Sequence, residues 1–226
     1  MSKRPVVLVV MDGVGISDSE FGNAVKKAYK PTLDNLWENS PHTEIKAHGL
    51  AVGLPTDDDM GNSEVGHNAL GCGQIYSQGA KLVNENIETG EIFKTETWSG
   101  LVNNCKDGKM HFLGLLSDGN VHSHINHLKA LIKKAKEDGV KEVRVHALLD
   151  GRDVPETSAL TYVDDIEAYM AELNDDSFHA CIASGGGRMT ITMDRYEANW
   201  AMVEQGWHVH VLGEGREFAS AKEAIE

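Results

Sequence analysis

Between Thr56 and Asn68 the chain gathers three aspartates, a glycine turn, a hydroxyl and an imidazole: Asp57-Asp58-Asp59-Met60-Gly61-Asn62-Ser63-Glu64-Val65-Gly66-His67. Ser63 stands where a loop turns into a helix. Two readings compete there. A serine at that place caps a helix, because its oxygen accepts an orphan amide. It can also be a nucleophile, held where helix-end amides favour an arriving anion such as phosphate. Alone, the cap is the stronger reading, so the rest of the chain must supply partners.

Partners are placed at strand ends. Val6 to Val10 is a continuous apolar run that fits a strand buried on both faces, and it stops at Met11-Asp12-Gly13. Asp12 then lies at the carboxyl edge of a sheet, where α/β proteins place ligands. Three further junctions follow the same pattern. Ser117-Asp118-Gly119-Asn120-Val121-His122-Ser123-His124 ends one strand, Asp150-Gly151-Arg152-Asp153 a second, and Gly185-Gly186-Gly187-Arg188 a third, with Arg195 shortly after. An arginine fork suits phosphate or carboxylate, and consecutive glycines let backbone amides approach an anion. His122, His124 and His127 are alternatively metal ligands or an acid/base cluster, and His122, nearest the strand end, is the favoured functional residue. Ser123 is the candidate cap of the helix that follows.

The elements that must position these residues are read from periodicity. Pro31 opens a helix through Trp37, and Glu44 to His48 reads as a short extended piece. Gly71 to Asn84 reads as a linker. Beyond it, helical stretches at 84–88, 99–106, 124–137, 156–173 and 194–205 alternate with strands at 110–116, 143–149, 179–183 and 207–212. Such alternation predicts a layered α/β fold with a mainly parallel sheet. Ser220 reads as the cap of a last helix.

Composition excludes several classes. The chain has 226 residues and a net charge of −14, which disfavours nonspecific binding to nucleic acid or to acidic membranes. Only six arginines occur, at 4, 144, 152, 188, 195 and 216, and half of them fall in the loops named above. Three scattered cysteines without a CxxC pair argue for a reducing compartment. The apolar run near the N-terminus is too short for a signal peptide or a membrane span. A soluble cytoplasmic protein is expected.

Taken in order, Val10-Met11-Asp12-Gly13, Met60-Gly61-Asn62-Ser63-Glu64-Val65-Gly66-His67, Gly119-Asn120-Val121-His122-Ser123-His124, Asp150-Gly151-Arg152-Asp153 and Met193-Asp194-Arg195 resemble the cofactor-independent phosphoglycerate mutases. The resemblance covers essentially the whole chain. The spacing of Gly185-Gly186-Gly187-Arg188-Met189 to Arg195 is similar to the plant and trypanosomatid branch. It implies a discontinuous alkaline-phosphatase-like domain, here residues 1–77, and an inserted α/β transferase domain, here 78–226. It implies that the serine at position 63 receives the phosphoryl group of 2- or 3-phosphoglycerate and returns it. It implies Asp12 and Ser63 as ligands of one of two divalent ions (manganese, magnesium or cobalt), with no need for 2,3-bisphosphoglycerate. His122, Arg152, Asp153, Arg188 and Arg195 match the substrate-binding set. The family continues beyond the stretch present here, with the remaining metal ligands, so this chain alone is expected to be inactive. A monomer is expected. The rivals are a metal-dependent phosphatase or another phosphomutase of that superfamily, and a non-catalytic phosphoglycerate-binding module. A zinc site on the three histidines is a third.

Overall fold

The computed structural model describes residues 4–11, 13–194 and 196–226. Asp12 and Arg195, both expected in the site, lie outside the described residues. The chain divides into two compact units, residues 1–45 and 46–226. The expected boundary at 77/78 falls inside the second.

In the first unit, helix α1 spans Ala24–Lys27 and α2 spans Pro31–Asn39, with Pro31 in the first turn, where its missing N–H costs nothing. The predicted strand at Val6 to Val10 does not form. The run has no regular secondary structure and pairs with nothing among the described residues, and its exposure falls from 95% at Val6 to 54% at Val10. A strand needs a neighbour for its ladder, and β-propensity alone does not supply one.

The second unit opens with a one-turn 3₁₀ helix at Gly49–Val52, then α3 (Ser63–Cys72), α4 (Gly79–Glu88) and α5 (Glu96–Asn104). Only residues 73–78 of the expected linker lack a helix. The short extended piece at 44–48 joins no sheet.

The sheet follows the predicted alternation. Strand β1 (Met110–Leu116), helix α6 (Ile125–Glu137), β2 (Glu142–Leu149), α7 (Ala159–Leu173) and β3 (His179–Gly187) succeed one another. The three strands are parallel, in the order β1-β2-β3. Helix α6 buries Ile125, Ile132 and Ala135, and α7 buries Val163, Ile166 and Met170. They meet Val143, Val145 and Ala147 of the central strand in one core. Ile132, Ile166 and Val143 have no exposed surface. Each such side chain contributes about 1.5–3 kcal/mol relative to an exposed one.

Strand β3 runs four residues further than predicted, through the glycines. A Cβ on Gly185 would lie 2.9 Å from the Ala147 carbonyl oxygen, and one on Gly186 would lie 2.4 Å from Ile191 Cδ1. These glycines therefore serve close packing inside the sheet rather than a loop that admits an anion. Beyond β3, α8 covers Trp200–Trp207, shorter than the helix predicted from Asp194. The strand predicted at 207–212 is a wide helical turn continuing α8 over His208–Leu212. No glycine or proline interrupts that run, so nothing breaks the helix until Gly213 in the left-handed region. Helix α9 (Ala221–Ile225) is capped by Ser220 as predicted.

Candidate active site

The segment before α3 is fixed by close backbone approaches. Gly49 (φ +64°) and Gly61 have no room for a side chain: a Cβ on Gly61 would lie 2.4 Å from the Ala47 carbonyl oxygen. The Asp57 carboxylate accepts from the Leu50 amide at 3.2 Å, and the Asp59 carbonyl from the Gly49 amide at 3.1 Å. Behind the segment lies a small core of Val52, Leu54 and Val65. Buried Gln78 fastens it by donating to the carbonyls of Val52 (2.7 Å) and Val65 (3.2 Å).

Ser63 is not the cap. Asn62 holds that place, with extended backbone and its side-chain oxygen 2.9 Å from the Val65 amide. Ser63 is the first helical residue and is exposed. This division of labour leaves the serine hydroxyl free of capping duty. His67, one turn on, has Nδ1 2.7 Å from the Ser63 carbonyl oxygen and 3.3 Å from its hydroxyl. A carbonyl only accepts, so Nδ1 carries the proton and cannot take one from the serine in this arrangement. His67 orients Ser63 rather than deprotonating it.

The second group stands at the carboxyl ends of the three strands. Asp150, directly after β2, is its centre, and its side chain is 1% exposed. It accepts from Ser117 Oγ after β1 (2.6 Å), from Arg188 Nη1 after β3 (2.8 Å), and from the amides of Arg152 (3.2 Å) and Asp153 (3.1 Å). Arg188 Nη1 also reaches Asp153 Oδ2 at 2.7 Å. Burial pushes the Asp150 carboxyl up. The hydrogen bonds from Ser117, the Asp153 amide, Arg188 and the Arg152 amide outweigh it and hold the group below its ordinary range. Burial likewise opposes the charge on Arg188, and its carboxylate partners Asp153 and Asp150 raise it above its ordinary value.

The structure thus joins Asp153 and Arg188 directly and brings Arg152 beside them through its backbone. The Arg152 guanidinium is exposed, with no hydrogen bond or ion pair among the described residues. His122 is exposed in the loop after β1, at the same sheet edge. His124, not Ser123, caps α6, through Nδ1 3.1 Å from the Asn126 amide, while Ser123 donates to the Leu115 carbonyl. His127 is spent on Asn84, with Nε2 2.5 Å from its side-chain oxygen. The zinc reading therefore finds no support. Among the described residues no three His, Cys, Asp or Glu side chains gather to hold a metal ion.

Three functional candidates escape the sequence reading. Asp150 looks like an Asp-Gly turn former, and only its place directly after a buried strand marks it. Asn120 and Asp59 meet across 61 residues, Asn120 Nδ2 donating to Asp59 Oδ1. The other Asp59 oxygen takes the Thr56 amide (2.7 Å) and hydroxyl (2.8 Å). Burial raises the Asp59 carboxyl, but the bonds from Asn120 and Thr56 dominate and lower it. A cavity of about 800 Å³ lies elsewhere, between β3, α7 and α9, and none of the predicted site residues lines it.

The family described as BPG-independent PGAM N-terminus matches residues 83–226. A probable 2,3-bisphosphoglycerate-independent phosphoglycerate mutase of Leptospira interrogans (serovar Lai) is 57% identical over 99% of this chain and 41% of its own length. The Trypanosoma brucei brucei 2,3-bisphosphoglycerate-independent phosphoglycerate mutase is 51% identical over all of this chain and 41% of its own. A crystal structure of Leishmania mexicana phosphoglycerate mutase at low cobalt concentration superposes with a TM-score of 0.84 at 50% identity, over 96% of this chain and 40% of that one. The chain spans about two fifths of the length of the curated relatives it matches, 41% for the first two. With more than half of its residues matched by the family profile, the chain belongs to the BPG-independent phosphoglycerate mutase family, in its N-terminal portion.

Proposed function

We propose that the protein to which this chain contributes interconverts 3-phosphoglycerate and 2-phosphoglycerate through a phosphoserine at Ser63. The observation that carries the reading is the exposed hydroxyl of Ser63 on the first turn of α3, relieved of capping by Asn62. In the first half-reaction the Ser63 Oγ–P bond forms and the bond from phosphorus to the substrate's 3-oxygen breaks. The serine proton leaves and the glycerate oxygen gains one. In the second half-reaction the 2-oxygen of the same glycerate attacks the phosphoserine, and the serine hydroxyl is restored. Amides at the start of α3 favour the negative charge.

Between the two steps glycerate must turn without leaving. Arg152, whose guanidinium has no hydrogen bond or ion pair among the described residues, is the candidate fork for its carboxylate, with His122 at the same sheet edge. Arg188 and Asp153 act mainly on each other and shape the floor of the pocket. Arg195 belongs to the same proposed set. Residues 1–77 are assigned to the phosphatase domain and 78–226 to the transferase domain.

Two divalent ions are part of the reading, which the low cobalt concentration named for the Leishmania crystal structure supports. The described residues do not fit such a site by themselves: no three potential ligands gather, and hard cations take about six oxygens. No step is therefore routed through metal here, and this chain alone is proposed to be inactive. A cytoplasmic monomer completes the proposal.

The test is phosphorus NMR of the full-length protein with 3-phosphoglycerate. Appearance of 2-phosphoglycerate, a phosphorylated Ser63 peptide by mass spectrometry, and loss of both in Ser63→Ala support it. Release of inorganic phosphate alone identifies a phosphatase instead.

A further inference from the structure

The contact between Asp59 and Asn120 is not part of either half of the site as read from its motifs. It joins residues of the second compact unit that lie on the two sides of the chemistry. Asp59 precedes Ser63 by four residues, in the segment fixed by Gly49 and Gly61. Asn120 precedes His122 by two, in the loop after β1. That loop is itself seated on the arginine pocket: a Cβ on Gly119 would lie 3.1 Å from Asp153 Cβ and 3.2 Å from both the Asp153 carbonyl oxygen and Val154 Cγ1. Asn120 takes a left-handed backbone, φ +59°, which costs a side-chain residue some strain that asparagine tolerates better than most. Its side-chain Nδ2 is thereby spent on Asp59, while its Oδ1 is buried without a hydrogen-bond partner among the described residues. An orphaned acceptor and an unusual backbone are retained in return for one charge-assisted bond. Asp59 is equally committed, with its second oxygen on Thr56 and its carbonyl on Gly49.

We infer that Asp59 and Asn120 are positioning residues that pin the Ser63 segment against the substrate loops, and so set the distance over which the phosphoryl group passes between Ser63 and glycerate. This rests on the mutase reading above. Neither residue touches the reacting atoms in this account. Misplacement of about 1 Å is enough to slow a transfer about a hundredfold, and a slack pocket admits water to the phosphoserine.

Two experiments decide it, and they fail separately. The first needs no activity. In the full-length protein without substrate, Asn120→Ala is expected to speed amide hydrogen exchange over residues 56–63 by about fivefold or more, with β2 unchanged. Unchanged exchange at 56–63 overturns the pin whatever reaction the enzyme performs. The second uses the full-length enzyme. Asn120→Asp sets two carboxylates against each other and is expected to lower kcat about a hundredfold with KM for 3-phosphoglycerate nearly constant, and to raise phosphate release per turnover. The reversed pair, Asp59→Asn with Asn120→Asp, restores a donor facing an acceptor and should recover about tenfold of that loss. A reversed pair no better than Asn120→Asp alone, or a rise in KM with kcat unchanged, overturns the positioning role. If the parent enzyme forms no 2-phosphoglycerate, the mutase reading fails, and the exchange experiment still judges the contact.

Discussion

The Ser63 segment and the sheet-edge loops are built on opposite plans. Around Ser63 the backbone is locked and the reactive side chain is exposed. At the sheet edge the side chains themselves are locked: Asp150 and Arg188 have side chains 1% and 4% exposed, and they neutralise each other. One region holds a group ready to meet a substrate. The other spends most of its charge on holding three strand ends together. The difference separates residues that make the pocket from residues that work in it, although all of them follow a strand or open a helix.

The sharpest way to break this contrast is Asp150→Ala. It removes four hydrogen bonds and leaves Arg188 buried with Asp153 alone. The expected loss is about 3–5 kcal/mol, read as a fall in the urea midpoint. The same residue gives a pH signature. Its folded carboxyl titrates below the ordinary value, so its stabilisation is present above the unfolded value near 4 and is lost as pH falls through the folded one. The parent should lose stability below about pH 4 more steeply than Asp150→Ala does. Parallel curves would mean that Asp150 is not the coupled group.

Next in size is Gly61→Ala. The new methyl would meet the Ala47 carbonyl oxygen at 2.4 Å, so the turn ahead of Ser63 must shift. About 1–3 kcal/mol is expected, with the change in amide exchange confined to residues 46–66. A wild-type urea midpoint would show that this turn adapts freely and that the contrast in rigidity is overstated.

How far these plans are legible in sequence differs in the same way. The three strands of the sheet were readable from runs such as Val143 to Leu149, because the helices that bury them, α6 and α7, lie within the same stretch of chain. Val6 to Val10 is an equally good run and forms no strand, because pairing is a property of neighbours and not of the run. Residues 207–212 alternate in polarity like a strand, yet continue α8, because nothing breaks the helix until Gly213. At the site, motif order placed the loops correctly. It could not show that Arg188 is committed to two aspartates while Arg152 has no side-chain partner among the described residues, since both are arginines that follow a strand. Nor could it find Asp59 with Asn120, a pair made by folding. The glycines at 185–187 were read as room for an anion and prove to be room for β2 and Ile191.

The smallest expected effects sharpen the contrast most, because they compare adjacent residues. Asn62→Ala should cost about 1 kcal/mol, the usual loss for a helix cap, whereas Ser63→Ala should lie within about 0.5 kcal/mol of the parent. Equal losses would return the cap to Ser63 and weaken its case as a nucleophile. Arg152→Ala makes the same comparison at the sheet edge. Its guanidinium is exposed and bonds to none of the described residues, so stability should again stay within about 0.5 kcal/mol. In the full-length enzyme, however, loss of one charge-assisted contact should raise KM for 3-phosphoglycerate about tenfold or more. A destabilised Arg152→Ala with unchanged KM would exchange the roles assigned to Arg152 and Arg188, making the exposed arginine structural and the buried one the anion's partner.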